Sequence, residues 1–358
     1  MSKSILGSLA AVILLLTACS NAPTTAPPRE PVTLTIMTHD SFAVSEDVVR
    51  EFETENDVQL VFLKSGDTGA ALNRAILMQD APEADVFYGV DNTFLSRAVQ
   101  EEIFEPYTSP ALSEIPEEFK RALSSVVTPI DYGDVCINYD RAWFAASSLT
   151  VPANLEDLAK PAYGSVQGEG LLVVENPATS SPGLAFLLAT IAEYGEEGYL
   201  DYWRALKANG VVVVNDWETA YYTNFSASSG NGLQPMVVSY ATSPAAEVFY
   251  ASQPLAEAPT ASITAPNTCF RQVEYAGILK DTGQLELAQR FIDFMLSPRF
   301  QEDLPLQMFV YPVNPNAALP EEFLRYADMA DEPAELDPVL IAARRDQWIR
   351  DWSEVMLK

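Results

Sequence analysis

An α/β fold of two lobes, joined by a hinge of two crossing strands, is predicted by three features of this 358-residue chain. A β-α-β-α-β order opens the chain after residue 32. A second set of strand-then-helix units begins near Gly170. Two long extended segments, Val126–Tyr139 and Phe270–Leu279, lie between the two sets. Alternating strands and helices imply parallel sheets covered by helices, and two crossings between two such lobes describe a clamshell.

The elements follow in order. Val32–Met37 (VTLTIM) alternates β-branched and other residues, as a strand does. Thr38–Phe42 is a polar turn. Ser45 stands where a helix with the apolar stripe Val48, Val49 and Phe52 needs a cap. Val58–Leu63 is a second strand. Asp67-Thr68-Gly69 leads into a helix carrying Leu72, Ile76 and Leu77. Ala84–Tyr88 is a third strand, ending at Gly89-Val90-Asp91-Asn92. In the second half Gly170–Val174, Val211–Val214 and Met236–Tyr240 are strands. Each is followed by a polar turn: Asn176–Gly183, Asp216–Glu218 and Ala241–Pro244. Leu184–Tyr194 is helical. The Pro/Ala/Thr/Ser-rich run Gln253–Asn267 reads as a surface loop, and Gly283–Met295 and Pro338–Met356 read as helices.

The N-terminus, MSKSILGSLAAVILLLTAC, combines Lys3, an apolar run Ile5–Leu16 and small residues before Cys19. This is the pattern of a secretory signal ending in a lipobox, with Cys19 as the acylated residue. The run is shorter than the roughly 20 apolar residues of a membrane helix. Residues 1–18 are therefore expected to be a lipoprotein signal peptide and residues 19–32, rich in Pro, Thr and Ala, a flexible stalk. Residues 33–134 with about 270–310 form lobe 1, residues 135–269 form lobe 2, and 311–358 form a C-terminal helical segment packing on the lobes. The expected location is the outer face of the cell membrane or the periplasm, with the membrane touched through the lipid alone and the protein monomeric.

Fifty acidic residues stand against 21 basic ones. Nucleic acid is excluded as a partner, because binding phosphates takes clustered Lys and Arg. The acids are spread along the chain and read first as solubility or adaptation to salt, although they also favour a cationic solute. Of the three cysteines, Cys136 and Cys269 remain after Cys19, each inside an apolar strand-like run. An oxidising compartment permits a bond between them; two buried free thiols are the alternative, and we expect the bond.

Every polar cluster sits just after a strand, the edge at which open α/β sheets bind ligands. His39, Asp67, Thr68, Asp91, Ser180, Trp217, Tyr240 and Ser243 all fall there. Each also has a structural role open to it, as a helix cap or a core aromatic. Enzyme signatures are weak. His39 is the single histidine, Gly164-Ser165-Val166-Gln167-Gly168 lacks the nucleophile-elbow spacing, and neither a P-loop nor a zinc motif occurs. Nothing marks a particular carboxylate pair for glycoside chemistry, and no metal or cofactor is expected. Tyr221-Tyr222 raises a ferric-ion reading, but adjacent residues of a helix point about 100° apart, which is awkward for shared ligation.

Several segments resemble the thiamine-binding receptors of bacterial ABC importers. They are TLTIMTHDSF (33–42), ADVFYGVDN (84–92), PIDYG (129–133), TSSPGL (179–184), VVSYATSP (237–244), LAQRFIDFMLSP (287–298), Tyr311-Pro312-Val313 and the tail QWIRDW (347–352). The resemblance implies a type II periplasmic-binding-protein fold closing on thiamine or its phosphates. It implies that Asp67 meets the charged or amino-bearing part of the ligand, Ser180 the hydroxyethyl or phosphate end, and that Trp217 and Tyr240 are cleft aromatics. His39 stands where the family usually has tyrosine, and Phe309 replaces a tryptophan. Ala246 replaces an aromatic whose contact Tyr221, Tyr222 or Phe309 must supply. The partners implied are the importer's membrane subunits. Receptors of the same fold for ferric ion or a polyamine, and a secreted thiamine-degrading enzyme with a cleft cysteine, are the alternatives.

Overall fold

The computed structural model describes residues 32–120, 125–164, 170–227 and 232–358. The expected signal peptide, Cys19 and all but the last residue of the stalk lie outside them.

Among the described residues, eleven strands share one sheet: β1 (Val32–Thr38), β2 (Val58–Lys64), β3 (Val86–Asp91), β4 (Phe104–Glu105), β5 (Thr128–Asp140), β6 (Leu172–Glu175), β7 (Val212–Val214), β8 (Met236–Tyr240), β9 (Thr260–Ile263), β10 (Phe270–Leu279) and β11 (Tyr311–Pro312). The main order is β2-β1-β3-β10-β5-β8-β6-β7. β1 lies between β2 and β3 and is parallel to both, and β6 lies between β7 and β8, again parallel to both. The two parallel groups are the ends of the sheet. β5 and β10 run antiparallel to each other between them. Strand character follows position. β2, at the edge, alternates buried and open residues, while all six residues of β3 are buried between two neighbours.

β9 corrects the reading of residues 253–267 as a loop. Thr260–Ile263 pairs with Ile137–Asp140 of β5, and a strand whose apolar residues are Ala and one Ile carries little periodic signal. A second correction concerns Ser45. It precedes the helix Glu46–Asn56, but its side chain makes no cap; its backbone N–H instead donates to Asp303 (2.8 Å). The helix expected over 184–194 runs over Ser181–Ala208, interrupted at Gly195. Gly195 adopts φ 70°, which strains a residue with a Cβ and so marks the break.

Cys136 of β5 and Cys269, one residue before β10, are disulfide-bonded across 133 residues of sequence. Both are fully buried beside Ala241 and Ala330. On the same side of the hinge Arg271 grips Asp134 with two parallel bonds (2.8 and 2.9 Å), the bidentate geometry that fixes orientation best. The C-terminal helix Pro338–Met356 packs on Ser181–Ala208. The rings of Trp352 and Trp203 meet edge to face at 5.4 Å, and Trp348 Nε1 donates to Glu196 (2.8 Å).

Candidate ligand-binding cleft

A cavity of about 320 Å³ opens between the two ends of the sheet, within the size range of small-molecule sites. Its walls come from the turn after β1, the helix start at Asp67, the helix start at Ser181, the turn after β7, the end of β8, the middle of β10, and Gln307–Val310. Of the expected residues, His39, Asp67, Thr68, Trp217, Tyr221, Tyr240, Ser243 and Phe309 line it. Ser180 does not. It is fully buried as the N-cap of Ser181–Ala208, where its hydroxyl accepts from Gly183 N–H (3.5 Å) and bonds to Asp67. Ser181, one residue on, takes the lining position.

Asp67 caps its own helix, Oδ1 accepting from Thr68 N–H (2.7 Å). It also accepts from the far side of the cleft: Trp217 N–H at Oδ2 (3.2 Å) and Ser181 N–H at Oδ1 (3.5 Å). Burial lifts this carboxyl above the usual carboxylate range against the pull of those donors. Thr68 is a brace, its hydroxyl donating to Gly89 carbonyl (3.0 Å). Gly89 itself allows a close approach. Its φ is 100°, and a Cβ there would sit 2.5 Å from the His39 ring.

Trp217 and Tyr221 stack at 5.0 Å and 18°. Each is pinned, Trp217 Nε1 donating to Ser239 Oγ (2.9 Å) and the Tyr221 hydroxyl to Glu247 (2.7 Å). The turn that holds Tyr221, Thr219–Asn224, is a π-helix rather than the expected α-turn, with Phe225 N–H reaching Ala220 carbonyl (2.9 Å); such turns recur at functional sites. The rings of Tyr221 and Tyr222 stand at 86°. Ser243 shares a hydrogen bond with Ser239 (2.9 Å) behind the tryptophan. Tyr240 donates to Gln272 (2.6 Å), and Gln272 donates in turn to Asp91 (2.7 Å) and Ser181 Oγ, tying β8, β10, β3 and a helix start together.

Four lining or supporting residues escaped the sequence reading. Glu274 lines the cavity from β10, with Asp131 buried opposite it on β5. The signal available was a carboxylate within the otherwise uncharged stretch 272–279 of the crossing strand. Gln272 had no such signal. Tyr250 lines the cavity near Ala246, and its ring lies 5.5 Å from Phe309. Phe309 adopts φ 54°, a conformation costly for a bulky side chain and found where a site demands it. Burial pushes the His39 ring below its ordinary pKa, so it is neutral at pH 7 although its Nε2 lies 3.3 Å from Glu274.

A two-ended α/β sheet with a cavity at its middle, walled by aromatics and carboxyls, defines a solute-binding receptor. The chain belongs to the family described as bacterial extracellular solute-binding protein, whose model matches residues 81–330; it is thus an exported protein. It is 30% identical to the thiamine-binding periplasmic protein of Salmonella typhimurium over 90% of this chain and 93% of that one. It is 29% identical to the Escherichia coli protein of the same name over 93% and 96%. Among solved structures, a periplasmic thiamin binding protein superposes with TM-score 0.77 at 29% identity, covering 90% of this chain and 96% of the other. A ferric binding protein from Campylobacter jejuni shares the fold (TM-score 0.72, 18% identity, 90% and 99% covered). Among the described residues no helix is long and apolar enough to cross a membrane.

Proposed function

We propose that this chain captures thiamine between its lobes and delivers it to an ABC importer. The observation that carries this reading is the pairing of the Trp217–Tyr221 plate with five lining carboxyls, Asp40, Asp67, Asp216, Glu218 and Glu274, against one ammonium, Lys64. Thiamine is a flat aminopyrimidine joined to a cationic thiazolium. Aromatic faces attract such a cation by about 0.5–2 kcal/mol per contact, and carboxyls accept from its amine. The relatives named for thiamine support the same assignment. The hydroxyethyl or phosphate end would meet Ser181, at a helix start whose N–H already donates to Asp67. The acidic wall works against added phosphates, so affinity is expected to fall from thiamine to its monophosphate and diphosphate.

The ferric alternative fares worse: the Tyr221 hydroxyl is committed to Glu247, and its ring is perpendicular to that of Tyr222. The thiamine-degrading alternative needs a free cleft thiol, whereas Cys136 and Cys269 are bonded to each other away from the cavity. The receptor is proposed to need no cofactor, to act as a monomer, and to be held at the membrane by lipid on Cys19.

The delipidated protein is expected to bind thiamine with quenching of tryptophan fluorescence and to return it intact after long incubation. Absence of both heat and quench with thiamine and both phosphates would reject the assignment. Tyr250 is 66% exposed, so Tyr250→Ala should leave the melting temperature of the ligand-free protein unchanged. Thiamine affinity should fall roughly 3- to 10-fold, the worth of one aromatic contact to a cation. Calorimetry on the purified variant checks this, and an unaltered Kd would place the ligand away from the cavity mouth.

A further inference from the structure

Glu274 and Asp131 occupy opposing positions of the β10–β5 pair. Glu274 faces the cavity; Asp131 lies behind it, fully buried. The two carboxyls are within hydrogen-bonding reach of each other. Tyr88 donates its hydroxyl to Asp131 Oδ2 (2.5 Å) and lies 3.4 Å from Glu274 Oε2. Asp131 Oδ1, by contrast, has no hydrogen-bond donor among the described residues. Buried carboxylates in contact cannot both ionise unless a cation neutralises them. The groups facing the pair supply none. They are Tyr88 and Asp91 of β3, Tyr240 of β8, Asp67 at its helix start, and His39 after β1. His39, which itself feels Asp40 and Lys64, is held neutral by burial. A proton shared between Glu274 and Asp131 would remove the repulsion.

We propose that Glu274 and Asp131 form a proton-sharing carboxyl pair at the wall of the cleft, and that a cationic ligand entering the cleft expels this proton to solvent. The inference rests on the thiamine reading for the ligand's positive charge. The bound cation takes over the neutralising role, leaving the pair ionised against it. Burial and the neighbouring carboxyl of Asp91 push Glu274 up to about 8, so the ligand-free receptor carries the proton at neutral pH. The sign follows by linkage: the free state binds more protons than the complex, so affinity rises with pH. For one proton the gain approaches tenfold per pH unit below about 8 and levels off above it. The pair titrates as a unit, so the midpoint belongs to both carboxyls.

The test is calorimetry of the whole mature protein with thiamine, in buffers of different ionisation enthalpy, between pH 6 and 9. Close to one proton should be released per thiamine at pH 7 and almost none at pH 9. Glu274→Gln should release less than half as much, and Asp131→Asn should move the midpoint to lower pH. Thiamine binding without proton release at pH 7, or an unchanged release from Glu274→Gln, would overturn the coupling and leave the receptor assignment standing. Failure of thiamine to bind at all, read by tryptophan quench, would overturn both. The wild-type measurement decides the matter even if either variant fails to fold.

Discussion

Asp67→Ala is expected to weaken thiamine binding by about 100-fold, equal to ~2.7 kcal/mol, the scale of one strong hydrogen bond to a charged acceptor. The melting temperature without ligand should fall by only a few degrees. The asymmetry comes from where the donors lie. Thr68 N–H belongs to Asp67's own helix, and losing that cap costs about 1 kcal/mol whether the cleft is open or closed. Trp217 N–H, Ser181 N–H and the Ser180 hydroxyl belong to the opposite wall. Were the walls to part, these donors would leave Asp67 and bond to water. Deleting the carboxyl therefore penalises the closed, ligand-holding state selectively, and a ligand can favour closure only as far as it binds the two states differently. Asp67→Asn separates this role from that of a simple counter-charge. Asn keeps one acceptor, so it should recover part of the affinity if Asp67 bridges the cleft. A loss as deep as that of Ala would make its charge the dominant contribution. Equal losses of affinity and ligand-free stability in Asp67→Ala would make the residue structural only.

How legible all this was depends on how local each determinant is. The strand-turn pattern placed His39, Asp67, Trp217 and Tyr240 at one edge, because strand ends and polar turns are written in consecutive residues. The pairing of β5 with β10 was readable only as two long apolar runs. Their register, which sets Glu274 against Asp131, depends on an irregularity between Glu274 and Tyr275 that no short motif announces. Ser180 and Ser181 show the limit from the other side. The turn was correctly located, but which of two adjacent serines faces the cavity is decided by cap geometry, a single residue's rotation about the helix start. Tyr250 was missed because its helix ends there, and its contact with Phe309 joins segments far apart in sequence. Phe309's positive φ has no sequence signature in an aromatic residue.

The second large effect concerns the hinge. Replacing both Cys136 and Cys269 by Ala should destabilise the ligand-free protein by about 2–5 kcal/mol, since the bond closes a long loop whose freedom in the unfolded chain it restricts. For a chain of this size that corresponds to a fall of roughly 3–8 °C in Tm. The bond spans 133 residues and clips the end of that excursion to the strand where it begins. Neither cysteine lines the cavity, and both sit among small buried residues that leave room for a methyl group. Thiamine affinity should therefore change less than threefold, and proton release not at all. The double variant thus separates the two tasks of the crossing strands. Their cysteine end holds the fold together, and at their carboxyl end Glu274 faces the cavity with Asp131 behind it. Thermal unfolding with and without thiamine reads both. An unchanged Tm would show that strand pairing and the Arg271–Asp134 bridge already hold the lobe closed without the bond. A large loss of affinity at unchanged Tm would instead place the bond in the closing motion.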